Sequence, residues 1–415
     1  MRRCSSSFHT ALVVATIALL WWCYLGVKIP AEELPVLHPT DPNVPERYFI
    51  GANLYDNEDV LKSWFTELPK LIQYLGANNT YISIYESNSR DQTKPLLRQL
   101  HHNLDAMGVP HRILCEDDDN RWWPYPTSPE RIQYLADARN RVLEPLQSDN
   151  ATIRLPSYDS YTKIVFLNDI RFSFQSIVRL LATRLDGDAS KPGEYDLACG
   201  MDFGAAGLYD TWVARDVCGT PMRAFWPFVK DELSVQRIME EKPLEVATCW
   251  NGVVAFPSGP YLYRPKTSVR KRGWKMIDND TFPGSRQSPP IELPLKFRSS
   301  ALDACDHSES FLFGYDLHRL YHSESRPPRI IMNPSVRVAY QENWFRWHNG
   351  VLRMPIIRWW LNLWSRGVPL VFVNWLWEAG STRRDHCTWS ALQIGAPARC
   401  PKLPEARQRG WGASG

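Results

Sequence analysis

The sequence predicts an α/β protein: a mixed, mostly parallel sheet with helices on both faces, preceded by a single N-terminal transmembrane helix. Three observations point there. Short strand-like apolar runs alternate with amphipathic runs at intervals of about 20–40 residues, the pattern of β-α-β units. Polar and acidic residues gather where the strand-like runs end. One apolar segment of 19 residues stands near the N-terminus, apart from the rest. The chain has 415 residues, 44% apolar and 22% charged, enough for a sizeable core in two lobes or in one large unit with additions. A formal charge of +3 gives no reason to propose nucleic acid or a polybasic membrane patch. The 18 Trp and 32 Pro are unusual; aromatics at that density serve as core, as sugar-stacking platforms or as interface anchors.

The apolar segment is 11–29, ALVVATIALLWWCYLGVKI, with one charge, Lys28. About 20 apolar residues span a bilayer, and Arg2 and Arg3 ahead of them keep residues 1–10 in the cytosol. Trp21, Trp22 and Tyr24 suit an interfacial belt better than the small-x-small site of a cleaved signal peptide, so an uncleaved signal anchor is expected. Residues 30–46 form a Pro-rich stem. With the remainder lumenal, Asn78, Asn150 and Asn279 in their Asn-x-Thr triplets become glycosylation acceptors. Seven cysteines follow the anchor (Cys115, Cys199, Cys218, Cys249, Cys305, Cys387 and Cys400); the odd number leaves at least one unpaired within the monomer. Without a Cys-x-x-Cys pair or a His-Cys cluster, no structural zinc is expected.

The folded domain is expected over 47–345. RYFIGANLYDN opens it as a strand running into a polar turn. In the next run Val60, Leu61, Trp64, Leu68, Leu71 and Leu75 recur at helical spacing. TYISIYES reads as a strand, QTKPLLRQLHHNLDAMG as a helix ending at Gly108, HRILCED as a strand, and SPERIQYLADARNRVLEPL as a helix capped by Ser128. A strand at 163–167, a helix at 174–184 and a strand in YDLACGM follow. Right-handed crossovers then place the strand ends on one rim, carrying Asn53, Asp56, Glu86, Asp91, the acids at 117–119, Asn168, Asp169 and Asp202. Neither GxGxxG nor GxxxxGK[ST] occurs, so a Rossmann cofactor site and a P-loop are unsupported. Downstream, ATCWNGVVAFP looks like one strand, CDHSESFLFGYDLHRLYH like a helix and NPSVRVAYQE like a strand. Residues 346–415 form a Trp-rich extension and tail; its apolar stretch at 358–378, broken by Arg366, Gly367 and Pro369, packs on the domain or lies in the membrane interface.

Acids at the strand ends of a lumenal, membrane-anchored α/β domain suggest a transferase that uses a nucleotide-activated sugar. The diphosphate leaving group needs its charge met, commonly by a divalent cation on carboxylates. KIVFLNDIRFS runs as a buried strand and halts at Asn168-Asp169, making Asp169 the metal candidate; an Asn-Asp turn at a strand end is the plainer reading. Arg139 and Asn140 lie on a helical run from which the guanidinium can reach a phosphate or simply cover the helix surface. In GMDFGAAGLYDTWVARDVCG, Asp202, Asp210, Arg215 and Asp216 could line an acceptor cleft with Trp212 stacking on a pyranose, or be ordinary loop residues. His307, His318 and His322 lie near one helix as incidental candidates for metal.

Seven motifs occur in register: YISIYESNSRD, RIQYLADARNRVLEPL, KIVFLNDIRFS, YDLACGMDF, YDTWVARDVCG, CWNGVVAF and NPSVRVAY. Together they resemble the fungal capsule-associated α-1,3-mannosyltransferase family, glycosyltransferase family sixty-nine, over about residues 47–341. The resemblance implies a GT-A-like fold and a single-pass type II Golgi membrane enzyme. The implied reaction moves mannose from GDP-mannose to a mannose-containing glycan with retention, assisted by Mn2+ (or Mg2+). It also implies donor-binding roles for Glu86, Arg139, Asn140, Asn168 and Asp169, which join Asn53 of the strand-end rim as donor-binding candidates, and a metal role for Asp169. Asp202 and Asp210 become catalytic candidates, joined by Glu309 on the analogy of carboxylates in glycosyl chemistry or else a plain surface residue of its helix, and Trp212, Arg215, Asp216, Trp250 and Asn251 the acceptor-binding ones. Where the family often has Ser-Glu-Cys, this chain has Ser308-Glu309-Ser310, so no disulfide from Cys305 is expected on that ground. The alternatives are a membrane-tethered glycan-binding or scaffold protein without turnover, and a transferase that takes a UDP-sugar.

Overall fold

The computed structural model describes residues 45–117, 129–187, 191–205, 207–264, 289–300, 307–322 and 326–355. It also describes 34–37 and the single positions 14, 39, 357, 359 and 400. The expected spanning helix lies outside these residues apart from Val14, as do Asn279, Cys305, Cys387 and most of the Trp-rich extension. Among the described residues no helix is long and apolar enough to cross a membrane.

In chain order the elements are β1 (Tyr48–Leu54), α1 (Glu58–Leu75), β2 (Thr80–Glu86), α2 (Thr93–Ala106), β3 (His111–Cys115), α3 (Pro129–Gln147), β4 (Lys163–Leu167) and α4 (Phe174–Leu181). Then come β5 (Leu197–Gly204), β6 (Gly207–Leu208), β7 (Arg215–Asp216), α5 (Glu232–Met239), β8 (Leu244–Thr248) and β9 (Val253–Pro257). α6 (Glu309–His322), β10 (Ile330–Ala339) and α7 (Glu342–Asn349) complete them. α7 runs through the boundary expected at 345.

The strands form one sheet in the order β3-β2-β1-β4-β9-β5-β10-β8-β7, with β6 beside β5. β3, β2, β1 and β4 pair in parallel, as do β5 and β10. β9 lies between β4 and β5, antiparallel to both, and β8 is antiparallel to β10. The sheet is mixed, as the sequence predicts, with parallel pairs along β3-β2-β1-β4 and β5-β10 and antiparallel pairs around β9 and β8. Two antiparallel neighbours of a strand nevertheless share a direction, so β1 to β5 and β10 all point their carboxyl ends to the same edge. ATCWNGVVAFP is two strands rather than one. Asn251 and Gly252 both adopt positive φ (49° and 76°), and the chain turns there, between β8 and β9.

Both faces of the sheet are covered, which is why its strands read as continuous apolar runs. Along β4, Ile164 and Phe166 enter one core with Ala136, Val142 and Leu143 of α3 and Phe311 to Phe313 of α6. Val165 and Leu167 enter the other, with Leu61, Trp64 and Leu68 of α1, Leu97 and Leu100 of α2, and Ile177 and Leu180 of α4. Leu34 and Leu37, within the expected stem, pack against this second core, and the Tyr74 hydroxyl donates to the Pro35 carbonyl at 2.8 Å. Disulfides join Cys199 to Cys249 and Cys218 to Cys400; Cys115 is an exposed free thiol.

Candidate active site

β4 delivers Asn168 and Asp169 to the carboxyl edge of the sheet, next to β1 and β9. The Asn168 amide N–H donates to the Gly252 carbonyl at 2.9 Å, which couples the end of β4 to the turn before β9. Its side-chain oxygen accepts from Arg139 Nη1 and from Trp250 Nε1, each at 3.0 Å. Asn168 is thus a hub that sets two neighbours and the backbone. A close turn follows, with Ile170 N–H donating to the Asn168 carbonyl, and Trp64 Nε1 on α1 holds the Ile170 carbonyl at 2.8 Å. Asp169 is half-buried. Burial pushes its carboxyl pKa up, opposed by its own backbone amide, the Asn57 side chain and the charge of Arg139. The turn expected at the strand end is present, and it is this turn that carries Asp169.

β5 brings up Asp202, fully buried. Its Oδ1 accepts from the Asp210 amide at 3.2 Å and from Asn251 Nδ2 at 3.1 Å; its Oδ2 accepts from the Tyr340 hydroxyl at 2.9 Å. Burial, then the neighbouring Asp210 charge, raise its pKa to about 7, against the three donors. Asp210 accepts from the amides of Val213 (3.1 Å) and Asn251 (3.3 Å); burial raises its pKa too, with Glu309 adding to the rise and Arg215 opposing it. The phenols of Tyr209 and Tyr340, tilted at 48° to one another with centroids 4.5 Å apart, both sense the charges of Asp169, Asp202 and Asp210. Tyr209 is exposed, so it is the solvent-facing member of this acidic group.

Glu309 opens α6, where a negative charge suits the helix N-terminus. Its Oε1 lies 2.9 Å from Arg139 Nε, and the Ser310 hydroxyl donates to the same oxygen at 3.1 Å. The Arg139 guanidinium lies over the rings of Trp250 (4.8 Å), Phe166 (5.1 Å) and Phe297 (5.7 Å). The structure therefore gives Arg139 an internal role, joining α3, α6 and the end of β4.

The other sequence candidates separate into two groups. Asn53 and Glu86, at adjacent strand ends of β1 and β2, each keep a buried side-chain oxygen, Oδ1 and Oε2, without a hydrogen-bond donor. The other oxygen of Glu86 accepts from the Ser89 amide at 2.7 Å. Several candidates instead hold the frame. Asn140 makes a two-way amide bond with the backbone of Phe297, at 2.9 Å each way. Asp216 Oδ1 closes a turn by accepting from the amides of Cys218 and Thr220, both at 2.9 Å. Arg215 is buried over Phe311 and donates to the carbonyls of Trp212 and Ala214. Trp250 is core, 1% exposed, whereas Trp212 is exposed. Burial holds the pKa of His307 down to about 3 and that of His318 to about 4; the latter lies 2.6 Å from the Ala247 carbonyl. Asn78 and Asn150 are exposed. Sequence reasoning assigned no part to Asn57, Tyr209 or Tyr340; Tyr340 ends the NPSVRVAY run, where a tyrosine closing a buried strand beside a polar turn was the available signal.

The donor set suits a hard divalent cation. Mg2+ and Mn2+ keep several waters and bind through one or two carboxylates plus substrate phosphate oxygens. Asp169, half-buried, with its charged form disfavoured by burial, fits that need, and a cation would offset its charge. Among the described residues the cleft acids do not form a three-ligand cage by themselves.

At 24% identity over 245 residues, 54% of the chain matches an α-1,3-mannosyltransferase, CMT1, of Cryptococcus neoformans; the chain spans about half (49%) of that protein's length. Among solved structures, a mannosyltransferase of Pyrobaculum calidifontis in complex with GDP-Man and Mn2+ aligns over 80% of this chain and 66% of its own (12% identity, TM-score 0.35). GalNAc-T7 with UDP, GalNAc and Mn2+ aligns over 73% and 46% (11% identity, TM-score 0.37). Structural likeness this low adds no weight. A family model described as Cryptococcal mannosyltransferase 1 matches residues 47–316, from the strand that opens the domain into the helix that carries Glu309, and the chain belongs to that family.

Proposed function

We propose that this protein is a mannosyltransferase with a GT-A-like catalytic domain that moves mannose from GDP-mannose to a mannose-containing glycan. The expected linkage is α-1,3, formed with retention. The observation that carries this reading is Asp169. It is a half-buried carboxylate at the carboxyl end of the central strand β4, felt by the same two phenols, Tyr209 and Tyr340, as Asp202 and Asp210, in a chain of a mannosyltransferase family. A divalent cation on Asp169 would supply charge neutralisation for the departing diphosphate. The chain's own residues do the positioning. Asn57 and Arg139 favour the charged form of Asp169 against its burial, the Asn168 hub fixes the loop that carries it, and Asn53 and Glu86 offer their free acceptor oxygens to the nucleoside. Exposed Trp212 and Tyr209 supply aromatic faces on which an acceptor sugar can stack. The C1–O bond to the diphosphate breaks, the acceptor oxygen bonds to C1, and the acceptor's proton leaves with the diphosphate. A Golgi-lumen, type II placement is supported by two disulfides, which persist in oxidising compartments, and by the exposed Asn78 and Asn150 acceptors.

The test is a panel of nucleotide sugars offered with mannosides, with and without Mn2+. Transfer from GDP-mannose that needs the cation and vanishes in a folded Asp169→Asn variant is the expected result. Transfer from a UDP-sugar instead would change the donor. Glycan binding that EDTA leaves intact, with no turnover from any donor, would make the protein a tethered glycan-binding module.

A further inference from the structure

At the opposite edge of the sheet, far along the chain from the acidic cleft, α2 ends and β3 begins. β3 is the outermost strand, and the connection between the two elements is four residues, with Gly108 at φ 67°. His101 and Asp105 sit one turn apart on α2, and His111 is the first residue of β3. His101 Nδ1 lies 2.6 Å from His111 Nε2; Asp105 lies 3.4 Å from His101 Nε2 and 3.8 Å from His111 Nε2. The three offer ligand atoms that all lie within 4.8 Å of one another.

The tautomer of His111 can be worked out. Its Nδ1 is 2.7 Å from the Val109 carbonyl, which only accepts, so Nδ1 carries the proton and Nε2 presents a bare lone pair. The His111 side chain is only 5% exposed and is aimed by that bond, as a backbone carbonyl aims a metal-ligating imidazole through its other nitrogen. A neutral His101 has one N–H for two partners, His111 Nε2 and the Asp105 carboxylate. A proton on His101 or a metal ion would complete the group.

We propose that His101, Asp105 and His111 form a binding site for a divalent transition-metal ion that favours imidazole and carboxylate ligands, Zn2+ above all. Metal–nitrogen bonds of about 2.0–2.1 Å at a tetrahedral angle set two imidazole nitrogens roughly 3.3 Å apart. The exposed His101 ring reaches that spacing by moving a fraction of an ångström. Three protein ligands leave a fourth position for water. The ion fastens the last turn of α2 to the first residue of the edge strand, and it takes no part in transfer.

The full chain, stripped with a chelator, is titrated with Co2+ and then with Zn2+, in the wild type and in an Asp169→Asn background that removes the cleft's own ligand. The expected result is one Co2+ with the visible absorption of a four-coordinate ion, displaced by Zn2+ and retained in Asp169→Asn. His101→Ala and Asp105→Asn, both at exposed positions, should weaken binding by at least about tenfold while leaving Mn2+-dependent transfer unchanged. His102→Ala, next to the site, should bind as the wild type does. His111→Gln should also lose the ion, and circular dichroism checks that it has folded. Co2+ bound equally by wild type and His101→Ala, lost in Asp169→Asn, or not bound at all would overturn the proposal, leaving a proton as the only positive partner of the group.

Discussion

Glu309 and Arg139, 170 positions apart in sequence, form an ion pair with Nε to Oε1 at 2.9 Å, and both side chains are more than nine-tenths buried. The pair joins the first turn of α6 to α3, and through Arg139 Nη1 it reaches Asn168. A buried pair adds little stability by itself, but removing one partner strands the other charge at a cost of about 3–5 kcal/mol. Arg139→Ala and Glu309→Ala are each expected to lower the unfolding free energy by that order, read from denaturant titration. Replacing both, as Arg139→Met with Glu309→Leu, should recover most of the loss. If the double variant is as unstable as the sum of the singles, the coupling is not electrostatic.

Asp202 should register in a pH series. Its pKa rises to about 7 in the folded protein, above the usual 3.9 of an unfolded Asp, because burial and Asp210 disfavour its charge. Between those values the folded state holds a proton that the unfolded state has released, so this group's contribution is fully present below pH 4 and is lost as pH rises through 7. His307, His318 and His348, with pKa values pushed down by burial, slope the other way between pH 4 and 6.5. The diagnostic is therefore a difference: Asp202→Asn should gain stability relative to the wild type as pH increases from 4 to 8. Parallel melting-temperature curves for the two proteins would rule out the raised pKa.

The Cys199–Cys249 disulfide ties β5 to the residue preceding Trp250, so it holds the turn that supplies Asn251 to Asp202. For its separation of 50 residues, chain entropy puts the stabilisation at about 4 kcal/mol. The paired Cys199→Ala and Cys249→Ala protein should melt well below the wild type. It should also lose transfer more steeply on warming than a protein lacking only the Cys218–Cys400 bridge. Equal losses from the two bridges would separate the first disulfide from the site.

The alternation of strands and helices up to β5 was legible because each element carries its own periodicity, and so was the rim on which Asn168, Asp169 and Asp202 meet. The insertion of β9 between β4 and β5 was not. Pairing order is a long-range choice that no local pattern records, and both faces of β9 are as apolar as those of a parallel strand. The Asn-Gly step inside ATCWNGVVAFP was a turn signal of a familiar kind, overridden in the reading by the apolar residues on both sides. The partition of the candidate site was hidden for a related reason. Arg139, Asn140, Asp216 and Trp250 have the residue types of ligand contacts, and only the fold shows that their hydrogen-bonding groups meet the protein itself.

Gly252 gives the sharpest test of that turn. It adopts φ 76°, and a Cβ there would meet Ile170 Cγ2 and Val338 Cγ2 at 3.0 Å and Asp202 Cβ at 3.1 Å. Gly252→Ala therefore combines a left-handed backbone cost of about 1–2 kcal/mol with crowding worth about 1–3 kcal/mol. The three atoms it presses on belong to the loop after Asp169, to the strand leading to Tyr340, and to Asp202. The Gly252 carbonyl meanwhile receives the Asn168 amide. Transfer should fall further than stability alone explains, measured at a temperature where the variant stays folded. Gly259→Ala, where the added methyl meets open space, should leave both unchanged. A Gly252→Ala protein that is destabilised yet fully active per folded molecule would show that the turn supports the sheet without setting the acids of the cleft.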